Sequence, residues 1–271
     1  MPYRKQTRPS RQPATATPFN FSGYPMPYAA VDCFGVGLVP VRNGGSLMAL
    51  SPATIVGTNG VLSVFRGGRS YYQTQATNST EYLSLGTDAK IKTVPFTYLL
   101  VSKVESIIAN TTVIFGSAGN VSNCVEYRVN SSGVLQFLKA NVAAIVTGNK
   151  AVVANQFFAT ILTYDGTIGT IYLNGFIDAT ASSAQTFSGT NAFALGGGRG
   201  TNEVTNKPNN TALFVMWPQV LSPNLCISLT SNPWQLYAGS ARRIISQVAA
   251  AAGGTNFYPA IWTGRAQSLV F

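Results

Sequence analysis

Residues 159–181 read ATILTYDGTIGTIYLNGFIDATA. Two turn signals divide this stretch, Asp165-Gly166 and Asn174-Gly175. Both dipeptides supply the positive φ angles that tight hairpin turns need. The residues between them are β-branched or aromatic, and Ile161, Tyr164, Ile171 and Leu173 are placed to fill strand faces. The stretch is a β-hairpin, and it sets the class of the whole chain.

The same chemistry repeats outward in both directions. Asn59-Gly60 is a hairpin signal before VLSVF. YLSL at 82–85, FTYLLVSKV at 96–104, TTVIFGS at 111–117 and CVEYRV at 124–129 read as strands. So do VLQFLKA at 134–140, FFATILTYD at 157–165, GTIYLNGFID at 169–178, NAFALGG at 191–197 and TALFVMW at 211–217. Turn residues part them at intervals of about 10 residues, the pattern of an all-β sandwich or jelly roll. One helix signal follows. Ser222 is placed as N-cap and Pro223 at the first helical position, where its missing N–H costs nothing. Leu225, Ile227 and Leu229 offer apolar contacts and Pro233 ends the run, so a short helix is expected over 223–230.

The chain divides into four parts. Residues 1–18 form a basic, proline-rich arm with Arg4, Lys5, Arg8 and Arg11 and no acid. Proline fixes an extended backbone there and denies the segment a stable helix. Residues 19–57 read as an extended linker that packs on the main domain or on a partner. Residues 58–238 hold the sandwich. Residues 239–271 form a C-terminal arm, in which Arg242, Arg243, Trp262 and Phe271 offer an interface.

Composition removes several chemistries. Apolar residues make up 46% of the 271 and charged residues 10%, against roughly 25% charged in an average domain. The chain can bury a large core, and its polar surface is built from amides and hydroxyls. Histidine is absent, which excludes histidine-based triads and most zinc sites. The eight acids form no local cluster. Glu126 stands alone in VEYRV, and Asp165 and Asp178 read as turn and strand-end residues. No catalytic residue, metal site or cofactor is expected, and the chain reads as a non-enzyme. Cys33, Cys124 and Cys226 lie far apart in apolar contexts and read as reduced core thiols. No apolar run is long enough to span a membrane, and the basic N-terminus lacks the apolar core of a leader.

Two passages carry a family resemblance. Tyr164-Asp165-Gly166 and Tyr172-Leu173-Asn174-Gly175 resemble the central hairpin of laminin-G-like, concanavalin A-like jelly-roll domains. FALGGG at 193–198 is similar to the strand that follows it there. The second passage is VMWPQVLSPNLCISLTSNPWQLYAGSARRI at 215–244. It resembles the ending of such jelly rolls in structural proteins of tailed bacteriophages, where a short helix leads to Asn-Pro-Trp-Gln, here Asn232, Pro233, Trp234 and Gln235. The resemblance implies a concanavalin A-like jelly-roll sandwich over about residues 58–238, with one short C-terminal helix and extended arms at both ends. It implies that Trp234 covers one end of the sandwich. It brings no glycan or calcium site, since the acids and amides that serve there are not clustered here.

The resemblance and the net charge of +10 together imply a virion protein. The first expectation is a capsid decoration or cement protein at the particle surface, made in the host cytoplasm. Its arms would bind the major capsid protein, other virion proteins or copies of itself as a dimer or trimer. A basic surface docks on an acidic lattice and releases it with salt. The alternative is a tail-fibre or tail-spike component whose jelly roll binds host glycan, with Tyr71, Tyr72, Asn202 and Asn206 as loose candidates. A coat protein is the third reading. No membrane partner is expected, and no motif for nucleic acid is visible.

Overall fold

The computed structural model describes residues 21, 23–32, 54–56, 61–64, 70–73, 82–87, 92–107, 112–117, 123–188, 191–196 and 209–237. The candidate residues Arg4, Lys5, Arg8, Arg11, Cys33, Asn202, Asn206, Arg242, Arg243, Trp262 and Phe271 lie outside them.

Two antiparallel sheets form a sandwich, as the strand pattern predicts. The first sheet runs, in spatial order, β13 (Phe176–Ser182), β12 (Ile168–Leu173), β11 (Phe157–Tyr164), β6 (Phe96–Val104), β15 (Asn209–Trp217), β4 (Ser70–Gln73) and β3 (Val61–Val64). β1 (Ala29–Asp32) joins it along β15. The second sheet runs β10 (Ala143–Ala151), β9 (Val134–Lys139), β8 (Val125–Val129), β7 (Thr112–Ser117), β14 (Phe193–Leu195), β5 (Tyr82–Ser84) and β2 (Thr54–Val56). Tyr71 and Tyr72 lie in β4. β1 and β2 come from the segment read as a linker, so residues 19–57 contribute strands to both sheets.

Residues 169–178 read as one strand but form parts of two. The break is at Asn174 (φ 48°) and Gly175 (φ 90°), both left-handed, as a two-residue turn of mirror-image type requires. β10 was not legible at all, because most of its residues are exposed and its apolar residues do not alternate with polar ones.

Side chains of the first sheet point alternately into two cores. Phe96, Tyr98, Leu100, Leu162, Tyr164, Phe214 and Met216 face the second sheet. There they meet Phe115, Tyr127, Phe137 and Phe193 in an aromatic cluster, with ring centroids 4.9 Å apart for Tyr98–Phe115 and 5.3 Å for Phe137–Tyr164. Leu99, Val101, Ile161, Tyr172, Leu213, Val215 and Trp217 face the other way. Their roof is α1 (Pro223–Ser231), the 3-10 turn Pro233–Tyr237, and Phe21. Burial on both faces explains why FTYLLVSKV and TALFVMW are almost continuously apolar and do not alternate.

One detail departs from expectation. Ser222 precedes α1, but its side chain makes no capping bond; its backbone carbonyl accepts from Cys226 N at 3.0 Å and Pro223 needs no cap. Trp234 is partly buried and packs against the outer-face core. Cys226 is buried under α1, which pushes its thiol up to about 12. Cys124 is also buried, and its thiol donates to the Ser188 carbonyl at 3.1 Å.

Candidate functional site

The residues of the hairpin motif come together and hold the fold. The Tyr164 hydroxyl lies 2.7 Å from the Ser183 carbonyl and 2.8 Å from that of Gly166, and it accepts from Gln185 N at 2.7 Å. It pins the segment after β13. Asp165 Oδ1 accepts from Thr167 N at 2.7 Å and from Ile168 N at 2.6 Å, closing the turn around Gly166. Asn174 Oδ1 accepts from Ala159 N, and Gly175 N donates to Thr230 Oγ1 on α1 at 3.1 Å. A Cβ at Gly175 would collide with Ser231 Oγ, so glycine serves both the turn and the helix contact. Tyr172 lies under the helix in the outer core. Of the second motif, Asn232 ends α1 by donating its N–H to Ser228 O, and Gln235 pairs with Ser228 Oγ. Pro233 opens the 3-10 turn.

The Asp165 turn predicts a pH effect. Donation from Ile168 N, then from Thr167 N, holds its carboxyl below the usual carboxylate range. A carboxyl with a lowered folded pKa contributes stability above its unfolded pKa and loses it as pH falls through the folded one. Acid titration of stability from about pH 5 to pH 2 should therefore show a smaller loss in Asp165→Asn than in the parent. Equal losses would mean that the turn carries no part of the acid sensitivity.

A second constellation was not legible. On the outer face of the second sheet, Glu126 is buried and its Oε1 lies 3.2 Å from Nη1 of Arg128, whose side chain is 21% exposed. Arg128 Nε donates to Gln136 Oε1 at 3.2 Å, and Gln136 Nε2 donates to Thr147 Oγ1 at 3.2 Å. The ladder runs across β8, β9 and β10, from a buried acid to an exposed hydroxyl. Strand register explains it: Arg128 is opposite Gln136, and Gln136 is opposite Thr147. Glu126 and Arg128, two apart, share one face. The available sequence signal was Glu-x-Arg within VEYRV. Arg128–Glu126 is the one ion pair found among the described residues.

Beyond Thr147 the ladder meets the seam between the sheets, where β10 runs beside β13. Asp178 is buried here, and it is not a strand end. It sits inside β13 at a bulge, with Tyr172 opposite Ile177 and Ile171 opposite Ala179. Its carboxylate accepts from Asn149 N at 3.2 Å and Lys150 N at 2.9 Å, and its carbonyl accepts from Asn149 Nδ2. Phe176, 63% exposed, lies beside it with Lys150 Nζ 4.8 Å from the ring centroid. Among the described residues no three of His, Cys, Asp and Glu come together as metal ligands.

This architecture has relatives. One family model matches residues 77–224, more than half of the chain. The chain belongs to the concanavalin A-like lectin/glucanases superfamily. No curated protein matches this superfamily member. Its solved neighbours are similar in fold, at low identity. Domain 4 of an extracellular arabinanase from Geobacillus stearothermophilus, solved with arabinotriose, has a TM-score of 0.59 at 16% identity, over 75% of this chain and 98% of that domain. Trypanosoma rangeli sialidase, solved with sialic acid, has a TM-score of 0.56 at 12% identity, over 77% of this chain and 33% of the sialidase. The binding domain of botulinum neurotoxin serotype G has a TM-score of 0.54 at 12% identity, over 75% of this chain and 50% of that one. The lectin/glucanases chain thus spans nearly all of the first, a third of the second and half of the third.

Proposed function

We propose that this chain is a glycan-recognising jelly roll displayed on a bacteriophage particle. The ladder Glu126–Arg128–Gln136–Thr147 carries the glycan reading. A guanidinium held in place by a buried carboxylate is preorganised, so little entropy is lost when it donates to a ligand. The amide and hydroxyl beside it both donate and accept, as a sugar's hydroxyls require. The arabinanase domain that matches this fold over almost its whole length was solved with a bound oligosaccharide, which supports the reading. The eight acids form no local cluster along the sequence, which favours binding over hydrolysis, since hydrolysis takes two carboxylates.

A glycan array probed with the purified chain tests it. Arg128→Lys keeps a charge for Glu126 but loses the planar fork. It should weaken the strongest hit by about 10- to 100-fold, the range of one or two charge-assisted hydrogen bonds, with the melting temperature nearly unchanged. An array without hits would end the glycan reading.

The particle setting rests on the resemblance of residues 215–244 to the ends of phage jelly rolls. Capsid decoration is the second reading, favoured by the basic arm 1–18. Its test is the copy number per purified particle: near parity with the coat protein supports decoration, and a few copies per hundred coat subunits moves the protein to the tail.

A further inference from the structure

We propose that the ligand is an acidic oligosaccharide, with one sugar stacked on Phe176 and its carboxylate taken by Lys150. The inference rests on the glycan reading above and adds the ligand's charge and a second contact point.

Four observations support it. Seven large apolar side chains are exposed among the described residues, and Phe176 is the one aromatic and the most exposed. Single exposed aliphatics are ordinary. An exposed phenyl ring is a flat apolar face with negative charge density above it. The slightly positive C–H bonds on one face of a pyranose suit such a ring. Next, Lys150 Nζ stands over one face of the ring, 4.8 Å from its centroid, so the cation borders the ring and the sugar takes the ring's other face.

The charges beside it then decide the ligand's sign. Arg128 is neutralised by Glu126. Asp178 turns its two carboxylate oxygens to the backbone N–H groups of Asn149 and Lys150, and not to the Lys150 ammonium. Among the described residues no ion pair of Lys150 is found, and the chain as a whole carries +10. The Asp178 carboxylate is buried and the Lys150 side chain is exposed, so the charge that this surface shows to a ligand is cationic and takes an anion.

Finally, the two contact points are in reach of one ligand. Lys150 follows Thr147, the exposed end of the ladder, by three residues, which would put it on the opposite face of a regular strand. The register slips between Thr147 and Ala151 at this sheet edge, and Lys150 turns to the seam, about 10 Å or less from Thr147 along the chain. Asp178 fastens β10 to β13 between them, so Phe176 is held at a fixed distance from the ladder. In this proposal a short oligosaccharide that starts on the ladder bends over the edge strand β10 and ends on Phe176.

The test uses the full chain and a glycan array that carries sialylated and uronate-containing members beside their neutral parents. Calorimetry then compares the strongest acidic hit with its carboxyl-reduced form. The acidic form should bind at least 10-fold tighter at low salt, and the advantage should shrink as sodium chloride is added. Lys150→Gln should abolish the advantage and leave the reduced form's affinity unchanged. Phe176→Ala should weaken both forms about 10-fold; both side chains are exposed, so melting temperatures should stay close to the parent. Equal affinity for acidic and reduced forms, or a preference that survives Lys150→Gln, overturns the proposal. If neutral glycans bind in an Arg128-dependent way without any acidic preference, the glycan reading stands and this inference alone fails. If nothing binds, both fail.

Discussion

Trp217→Ala should lower the free energy of unfolding by about 3–5 kcal/mol, the range for truncating a buried Phe or Trp. None of the Trp217 surface is exposed. The indole lies on the outer face of the first sheet, in one cluster with Phe21, Leu221, Cys226, Leu229 and Leu236. These residues come from the N-terminal segment, the loop before α1, the helix, and the 3-10 turn. One side chain thus shares a cluster with four separate segments of the chain. Its Nε1 also donates to the Pro25 carbonyl at 2.7 Å. Alanine would leave a cavity that the sheet backbone cannot close, with an unpaired carbonyl beside it. Trp217→Phe separates the two terms: it keeps most of the volume and should cost about 1–2 kcal/mol, mainly for the lost hydrogen bond and its orphaned partner. Urea denaturation followed by circular dichroism gives both numbers. A loss below 1 kcal/mol for Trp217→Ala would mean that the outer core contributes little and that α1 is an ornament on the sandwich.

The same residue shows what could be read from the chain alone. TALFVMW was legible as a strand, because seven residues with aromatic and branched side chains fit no other element of that length. That Trp217 and Phe214 point to opposite faces follows from the period of two. Which face meets the other sheet and which meets α1 does not follow, since both are apolar. The hairpin at 159–181 was legible because turn chemistry is local: Asp165 and Asn174 fold back on neighbours within 15 residues. β10 was lost for the opposite reason. AAIVTGNKA lies at the edge of its sheet, and its register and seam contacts with Asp178, 28 and 29 residues away, leave no mark in the apolar pattern.

The candidate site was harder still. Glu126 looked solitary because no second acid lies near it along the chain. Its partner Arg128 is two residues on and shares its face. The next member, Gln136, arrives through the β8–β9 register, and Thr147 through the β9–β10 register. A polar ladder is a property of register, and register is set by turns whose lengths must be known to a single residue. The basic arm, by contrast, was conspicuous in sequence, and its role stays with the proposed particle setting.

The seam offers the second large effect. Asp178→Ala should cost about 2–3 kcal/mol, because two backbone N–H groups lose a charged acceptor in a largely buried place. Gly148→Ala should cost about 1–3 kcal/mol for the opposite reason, overpacking. A Cβ on Gly148 would collide with Asp178 Oδ2 and stand 3.2 Å from the Leu135 carbonyl. The two costs should not add. Once Asp178 is alanine, the carboxylate that blocks the new methyl is gone, and only the contact with Leu135 remains. The double variant should therefore lie within about 1 kcal/mol of Asp178→Ala, with a coupling energy of the order found between residues in contact. Additive losses would show that β10 and β13 yield independently and that Asp178 does not fasten them. Coupling would show that the edge strand is held by one carboxylate, at the same place where the ladder passes from the second sheet to Phe176.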